Sequence, residues 1–336
     1  MESQGMHCLW LDQQKLVFKE RVPIPIPKKG QALIRILLAG ICSTDLELLR
    51  GYYPFSGIPG HEFIGIIVDS PENPTWIGKR VVGEINIACG VCHNCLMDLT
   101  RHCDNRKTLG IHDWNGVFAE YMVLPLPNLH VVPDHVPDDM AVFTEPLAAA
   151  HEIIEQTIIQ QTDRVLIIGA GRLGLLAAMV IHLTGCELDV VIRYPKQKIL
   201  LEKLNINAIT LQNNDLKKYD VVIEATGSVD GFTQACKSVR PRGRIILKST
   251  YKGNAEINLS GIVVNEVTLI GSRCGSFEPA MRMLTDGKVD PRPLIEAKFP
   301  LEQGVIAVEY AGRQGVLKVL VQPGIDNFTD SLEAEQ

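Results

Sequence analysis

Four cysteines lie within fifteen residues of one another and could bind a metal ion. Their spacing is Cys-x2-Cys-x2-Cys-x7-Cys, and they are Cys89, Cys92, Cys95 and Cys103. Four thiolates on one loop can surround a tetrahedral zinc ion and leave no open position for a substrate. The spacing therefore predicts a structural zinc site. His93 and His102 lie in the same loop, and we expect both to face solvent because the thiolate set is complete without them.

The same spacing and the charge of the chain argue against nucleic-acid binding. The pattern matches neither a Cys2His2 finger nor a ribbon of Cys-x2-Cys pairs with a long spacer. The chain has 33 Lys and Arg against 39 Asp and Glu, a formal net charge of −6. Nucleic-acid-binding surfaces are basic, and no basic stripe suggests docking on an anionic membrane. We expect a small molecule as the partner of any active site.

A glycine-rich segment in the middle of the chain could bind a dinucleotide. The sequence GAGRLG begins at Gly169, directly after an apolar strand-like run and before a helix-like run, as this motif requires. Gly169 permits a tight turn, Gly171 lets the backbone approach a pyrophosphate, and Gly174 lets helix and strand pack closely. The N–H groups at the helix start, at Arg172 and Leu173, would face the anion. The alternative is a glycine-rich turn without a ligand.

The residue at the end of the second strand indicates which dinucleotide binds. An acidic side chain about 20 positions after the glycines holds the ribose of NAD, whereas an arginine accommodates the 2′-phosphate of NADP. Arg193 stands 19 positions after Gly174, and two lysines, Lys196 and Lys198, follow it. This pattern favours NADP(H). The alternative is that these cations are solvated and that Asp189 or another acid binds NAD.

The elements that must position these groups change in type along the chain. Roughly the first 135 residues contain short β-like runs separated by Pro and Gly, which predicts a β-rich domain. From about residue 147, apolar strands alternate with helix-like runs, which predicts an α/β fold with a parallel sheet covered on both faces. A chain of 336 residues suits about two domains. Residues 326–336 are acidic and are expected to form a loose tail.

Neither a membrane span nor a signal peptide is predicted. The best apolar window, 165–183, is interrupted by Arg172, whereas a span needs about 20 largely apolar residues. The N-terminus carries acidic residues and no apolar run of signal-peptide length. The nine cysteines are an odd number and are clustered, which favours metal binding in a reducing compartment over a disulfide scaffold. We expect a cytoplasmic protein.

Three dispersed segments could form a second metal site only if the fold brings them together. Cys42 follows one strand-like run, His61 opens the next, and Glu145 lies at the junction of the two regions. Taken singly, they are more ordinarily a buried cysteine, a hydrogen-bonded histidine and a glutamate at a helix start.

Taken together, these segments resemble the zinc-dependent medium-chain alcohol dehydrogenases, most closely their sorbitol (polyol) and threonine dehydrogenase branch. Five motifs occur in family order, namely GIC-x-TD, GHE, the four-cysteine lobe, EPLA and GAGRLG. The resemblance spans most of the chain and implies a doubly wound Rossmann sheet inserted into a GroES-like β-barrel domain. We accordingly expect a zinc-binding catalytic domain over 1–146, a dinucleotide-binding domain over 147–275, and a return to the catalytic domain over 276–336.

The resemblance also implies the role of each ligand. Cys42, His61 and Glu145 would hold a catalytic zinc, which with the cysteine lobe makes two zinc ions per chain. Glu62 would sit just behind the metal and bind it transiently. These protein ligands leave a fourth position for water or substrate. Asp45 would orient His61 through its second ring nitrogen.

The implied reaction interconverts an alcohol or polyol and its aldehyde or ketone. Zinc would polarise the substrate oxygen while hydride passes to or from the nicotinamide, with the hydroxyl of Thr44 passing the proton onward. Many family members have a histidine five residues after the first ligand, where this chain has Glu47. The outer proton route therefore remains open between Glu47 and a path through ribose and water. Thr226 falls at a strand end expected near the nicotinamide.

Two other functions remain open from the sequence. A zinc-independent quinone or enoyl reductase shares the fold but lacks the metal ligands, which this chain retains. A non-catalytic dinucleotide-binding redox sensor would keep the glycines and the cysteine lobe without needing the dispersed ligands. Family habit implies a homodimer or homotetramer. The substrate pocket is expected near Tyr52, Phe55, His112, Trp114 and Arg273.

Overall fold

The computed structural model describes residues 5–210, 218–250 and 257–324. The chain forms two compact units. The first contains the described residues up to Val142 and those from Ile295 onward, and the second runs from Phe143 to Leu294. The chain therefore leaves the first unit and later returns to it, as an inserted domain requires.

Short, mostly antiparallel strands make up the first unit. Before the insertion its strands are β1 (Gly5–Asp12), β2 (Lys15–Pro23), β3 (Gln31–Gly40), β4 (Glu62–Asp69), β5 (Arg80–Gly83), β6 (Asn86–Ile87), β7 (Lys107–Leu109), β8 (Asp113–Trp114), β9 (Tyr121–Pro125) and β10 (Leu129–Val131). Its helices there are α1 (Ser43–Leu49), α2 (His93–Leu96) and α3 (Asp138–Ala141), with 3-10 turns at Pro74–Trp76, Thr100–His102 and Leu126–Asn128. β1 and β2 pair as a ribbon, and β6, β7 and β8 form a small sheet.

Helices and parallel strands alternate in the second unit. In chain order they are α4 (Thr144–Gln156), β11 (Arg164–Ile168), α5 (Arg172–His182), β12 (Glu187–Val191), α6 (Pro195–Lys203), β13 (Asn207–Ile209), β14 (Tyr219–Glu224), α7 (Val229–Ser238), β15 (Val239–Leu247), α8 (Leu259–Val264), β16 (Thr268–Gly271), α9 (Phe277–Thr285) and a 3-10 turn at Arg292–Leu294. Within the described residues the strands form a parallel sheet in the order β13-β12-β11-β14-β15-β16. This is the doubly wound order of dinucleotide-binding folds, in which ligands bind where the strand order reverses, here at the carboxyl ends of β11 and β14.

β11 explains why this sheet appears in the sequence as continuous apolar runs. Its residues from Val165 to Ile168 are at most 1% exposed, because helices cover both faces of a parallel sheet. A core cluster joins side chains of β11, β14, α7 and β15, which are Leu166, Ile168, Tyr219, Val222, Ala235, Val239 and Ile245.

The returning segment completes the main sheet of the first unit. It contains β17 (Ile295–Pro300), a 3-10 turn (Leu301–Gln303), α10 (Gly304–Ala311) and β18 (Lys318–Gln322). The described strands of this sheet follow the order β10-β5-β4-β3-β18-β17, and β9 pairs with β3. β18 lies antiparallel to the end of β3, and Ile41 N–H donates to the Val319 carbonyl at 3.0 Å. The returning strand therefore lies directly beside the segment that leads into Cys42.

The boundaries between the two compact units differ from the expected ones. Expected were 146/147 and 275/276, whereas the structure changes units at Val142/Phe143 and at Leu294/Ile295. The segment 276–294 stays in the second unit because α9 packs on α4. The expected acidic tail, 326–336, lies outside the described residues. Among the described residues, no helix combines the length and the apolar character needed to cross a bilayer.

Candidate active site and metal centres

The dispersed cluster begins where β3 turns into α1. Cys42 is the residue before the first turn of α1, in extended backbone conformation. Its N–H donates to Asp45 Oδ2 at 2.8 Å, so a carboxylate in the first turn fixes the cysteine backbone. The Cys42 thiol lies 3.7 Å from the Thr44 hydroxyl oxygen.

The next part of the cluster begins at the start of β4. Gly60 precedes it with φ +93, and a Cβ there would lie 2.7 Å from the Phe118 ring, so only glycine fits. β3 and β4 pair antiparallel, and Gly40 lies opposite Glu62. A Cβ on Gly40 would reach within 2.2 Å of the Glu62 carboxylate. Gly40 therefore leaves space for the Glu62 side chain, and Gly60 allows the backbone before His61 to pack against Phe118.

Cys42, His61 and Glu62 converge. Each offers one ligand atom, and these atoms all lie within 4.8 Å of one another. His61 is 2% exposed and Glu62 is 1% exposed. His61 Nδ1 lies 3.3 Å from Asp45 Oδ1, which leaves Nε2 as the remaining ring nitrogen. The structure thus brings together the predicted thiolate, imidazole and second carboxylate, with Asp45 behind the histidine.

The charges around this cluster favour a bound cation. Burial lowers the pKa of His61, but the Asp45 carboxylate and the Cys42 sulfur outweigh burial and hold that pKa well above its ordinary value. Glu62 Oε2 is ion-paired with Lys318 Nζ, whereas Glu62 Oε1 is buried and has no hydrogen-bond partner among the described residues. Sulfur, nitrogen and carboxylate oxygen are the ligands that zinc takes in catalytic sites. The residues present therefore fit a zinc ion.

The four-cysteine lobe forms a separate cluster, whose sulfur atoms also all lie within 4.8 Å of one another. Cys92 Sγ lies 3.5 Å from Cys95 Sγ and 3.8 Å from Cys103 Sγ. A tetrahedron with Zn–S bonds of about 2.3 Å separates its sulfurs by about 3.8 Å, so this spacing fits one zinc ion. Backbone N–H groups of Val91 and Cys92 lower the pKa of Cys89 to about 6.

Other features of the lobe agree with this interpretation. Burial and the neighbouring thiols raise the pKa of Cys95 to about 12, so this thiol, unlike that of Cys89, keeps its proton at neutral pH unless a cation stabilises the thiolate. All nine cysteines have free thiols. His93 and His102 are both exposed, as predicted.

The glycine-rich turn has the backbone that a pyrophosphate requires. Gly169 has φ +108, and a Cβ on Gly174 would lie 1.8 Å from the Gly169 carbonyl oxygen. A Cβ on Gly171 would meet no described atom within 4 Å. Packing therefore requires the outer glycines, while the middle one leaves open space at the start of α5, where backbone N–H groups can meet an anion. Arg172 and Leu173 form the first turn of this helix.

Side chains of β12 and of the loop after it bear on whether NAD or NADP binds. Asp189 is 2% exposed, and its carboxylate accepts hydrogen bonds from Tyr219 Oη and Asn207 Nδ2, both at 2.6 Å. It is therefore engaged inside the sheet, contrary to the alternative in which it binds ribose. Arg193 is exposed, whereas Lys198 faces Glu202 at 3.7 Å.

The remaining predicted residues lie at the following places. Glu145 is half-buried in the first turn of α4, in the second unit. The Thr226 hydroxyl contacts Glu224, and its oxygen lies 2.8 Å from Ser228 Oγ. Glu47 accepts from Arg50 Nη1 at 2.6 Å, so its carboxylate is already paired. Phe55 and Trp114 line one pocket. The Tyr53 and His112 rings contact each other edge to face.

Two residues that the sequence did not single out belong beside these sites. Lys318 is 2% exposed and supplies the ion pair to Glu62. Gln197 is 4% exposed and bonds to Ala170 in the glycine-rich turn. A lysine that starts an apolar strand is a weak signal of burial. The position of Gln197, two residues after Pro195 at the start of α6, indicates a helix cap but gives no sign of the bond to Ala170.

Comparisons with known proteins bear on the same regions. Residues 28–134 match the family described as alcohol dehydrogenase GroES-like domain, and residues 173–286 match the zinc-binding dehydrogenase family. The sorbitol dehydrogenase of Halalkalibacterium halodurans is 31% identical in an alignment 324 residues long that covers 90% of this chain and 94% of that protein.

Solved structures share the whole architecture. An alcohol dehydrogenase of Escherichia coli CFT073 in complex with NADH has a TM-score of 0.88 at 26% identity, covering 94% of this chain and 99% of that one. A protein of Sinorhizobium meliloti 1021 solved with NADP has a TM-score of 0.88 at 25% identity, covering 95% of this chain and 99% of that one.

A Rossmann sheet inserted in a GroES-like unit that assembles zinc ligands defines a zinc-dependent dehydrogenase. The chain belongs to the zinc-type medium-chain alcohol dehydrogenase family. It is an NAD(P)-dependent alcohol dehydrogenase, and the predicted family and fold are confirmed.

Proposed function

We propose that this chain interconverts an alcohol or polyol and its aldehyde or ketone, with a catalytic zinc at the dispersed cluster and NADP(H) as the redox partner. The convergence of Cys42, His61 and Glu62 in buried surroundings carries this proposal. The sorbitol dehydrogenase relative supports a polyol as the substrate class.

The proposed zinc ligands are Cys42, His61 and Glu145, with Glu62 as a transient ligand. The place of Glu145 rests on its EPLA motif. Glu62 differs from the others because Lys318 already holds one of its carboxylate oxygens. Its free oxygen can approach a metal only as far as that ion pair allows, which suits a reserve ligand. A zinc ion bound here supplies a Lewis acid that favours the deprotonated form of an alcohol.

The protein groups then orient the ligands and move the proton. Asp45 holds the Cys42 backbone and faces His61 Nδ1, so it sets the position of both ligands. The Thr44 hydroxyl, beside the Cys42 sulfur, accepts the alcohol proton and passes it on. Because Glu47 is paired with Arg50, we propose that the outer route runs through ribose and water rather than through Glu47.

The cofactor preference and the second zinc complete the proposal. An exposed arginine at the end of β12 and the engaged carboxylate of Asp189 both favour a 2′-phosphate over a free ribose hydroxyl. Contacts to the cofactor are proposed for Gly169, Gly171, Arg172, Leu173, Gly174, Arg193 and Thr226. A structural zinc is proposed at the four-cysteine lobe, which gives two zinc ions per chain. From family habit and cysteine usage, we further propose a cytoplasmic homodimer or homotetramer.

Metal analysis combined with hydride transfer tests this function. We expect two zinc ions per purified chain and reduction of NADP, faster than of NAD, with members of a panel of polyols and secondary alcohols. One zinc per chain and no transfer to any alcohol would favour a dinucleotide-binding redox sensor. Turnover that survives complete removal of zinc would favour a zinc-independent reductase.

A further inference from the structure

The buried amide of Gln197 connects two loops at the cofactor edge of the sheet. Its Oε1 accepts from the backbone N–H of Arg193 at 2.8 Å and from that of Tyr194 at 2.9 Å. Its Nε2 donates to the Ala170 carbonyl at 2.8 Å. Ala170 is the second residue of the glycine-rich turn, and Arg193 follows the end of β12. One side chain thus joins the turn to the loop.

The backbone at this place needs such a partner. The ladder of β12 ends at Val191, and Ile192 makes the next bond, to Ile209. The chain then leaves the sheet, so the following N–H groups require an acceptor from elsewhere. A glutamine amide is both an acceptor and a donor. Methionine, of similar length, is neither, and a glutamate can accept from the loop but, when ionised, cannot donate to the turn.

We infer that Gln197 is a positioning residue for the choice of NADP(H). The inference rests on the proposed reading of the 2′-phosphate by Arg193. The pyrophosphate and the 2′-phosphate belong to one molecule, so an arginine can reach the second only if its loop keeps a fixed distance from the turn that binds the first. Beyond the ladder that joins β11 and β12, the bonds of Gln197 hold this distance, and they do so without a contact to the cofactor.

Binding of NADPH and NADH to the full-length, zinc-loaded protein tests the inference, with nucleotide fluorescence as the readout. Arg193→Ala should raise the Kd of NADPH about tenfold or more relative to that of NADH, as expected for the loss of one charge-assisted contact. Gln197→Met should lower the NADPH preference about threefold or more although Arg193 is intact. Ile199→Met, at an exposed position of α6, is the matched control and should leave the preference unchanged.

A double variant shows whether Gln197 acts through Arg193. In the Arg193→Ala background, Gln197→Met should cause little further loss of preference. An equal loss in both backgrounds would overturn the inference, and so would an unchanged preference in folded Gln197→Met. An unchanged preference in Arg193→Ala itself would instead reject the proposed reading of the 2′-phosphate.

A second substitution covers the case in which Gln197→Met does not fold. Gln197→Glu keeps the acceptor for the loop N–H groups and loses only the donor to Ala170. It should therefore fold and still lower the NADPH preference by more than Ile199→Glu, which adds the same charge at an exposed position of the same helix. Equal preferences in these two glutamate variants would overturn the inference.

Discussion

The two candidate metal-binding clusters of the first unit are assembled in opposite ways. The cysteine lobe takes all its ligands from one loop, and three of them are only half-buried. The dispersed cluster joins α1, β4 and β18, with Lys318 standing 256 positions after Glu62, and its groups other than the half-buried Cys42 and Thr44 are almost fully buried. A local site depends on its own loop and its metal, whereas a dispersed site depends on the whole sheet that brings its parts together.

Removing a thiolate from the dispersed cluster should have the largest effect of all. We expect Cys42→Ser to lower kcat/KM about 1000-fold or more, because Lewis-acid catalysis is worth several kcal/mol. NADPH binding should persist. Cys186→Ser, at a half-buried cysteine after α5, is the control and should retain activity. Near-normal turnover by Cys42→Ser would remove the distinction between a catalytic and a structural centre.

The same change in the lobe should affect stability rather than chemistry. Cys95→Ser should lose one zinc per chain and lower the free energy of unfolding by about 4 kcal/mol or more, because metal binding at such a site is coupled to folding. Denaturant titration and metal analysis measure both effects. His93→Gln, at an exposed position of the same loop, should change neither. Loss of zinc in the histidine variant would contradict the four-thiolate assignment.

The ion pair beneath the dispersed cluster predicts a further difference. Lys318→Met should cost about 3–5 kcal/mol of stability, because it leaves the buried Glu62 carboxylate without its partner. Adding Glu62→Gln to this variant should recover much of the loss, and Lys318→Arg should cost less than Lys318→Met. Equal denaturation midpoints for the wild type and Lys318→Met would show that the pair does not support the cluster.

The smallest effect is expected from a substitution of Asp45, whose carboxylate faces His61. Asp45→Asn keeps an acceptor for the Cys42 N–H but removes the charge that faces His61. We expect about 10–100-fold weaker zinc binding at the dispersed cluster, measured by competition with a chelator, and unchanged binding at the lobe. Asp98→Asn, on the lobe's own loop, is the matched control. A parallel loss at both centres would mean that they are not independent.

The features that could be predicted from the sequence are those whose residues lie close together along the chain. The spacing of the cysteines and the glycines predicted both motifs. The apolar run from Tyr219 to Glu224 by itself predicts a strand, which the structure has as β14, because a strand buried on both faces is apolar throughout. The apolar run that predicts β15 starts only at Arg244, whereas the strand begins at Val239. Its first part contains Pro241 and exposed arginines, residues that do not indicate a strand in the sequence. Its pairing with β14 also shifts register there.

Contacts made by distant polar residues could not be predicted. Lysines are rarely buried unless paired, so Lys318 could be recognised only once β18 was seen beside β3. The resemblance supplied Cys42, His61 and Glu145 as ligands, with Glu62 behind them. The pairing of Glu47 with Arg50 was not predicted, although the two residues stand at i and i+3, a spacing at which side chains meet on a helix. The bonds of Gln197 likewise depend on how β11 and β12 align.

The position of β18 late in the chain also affects the order in which the two units can fold during synthesis. Glu62 is made long before its counter-charge, which belongs to the last strand of the described chain. Until that strand emerges from the ribosome, closing the sheet over the Glu62 carboxylate would bury a charge without its partner, which is costly. The second unit has its complete sheet by then and can fold ahead of the unit whose synthesis began first.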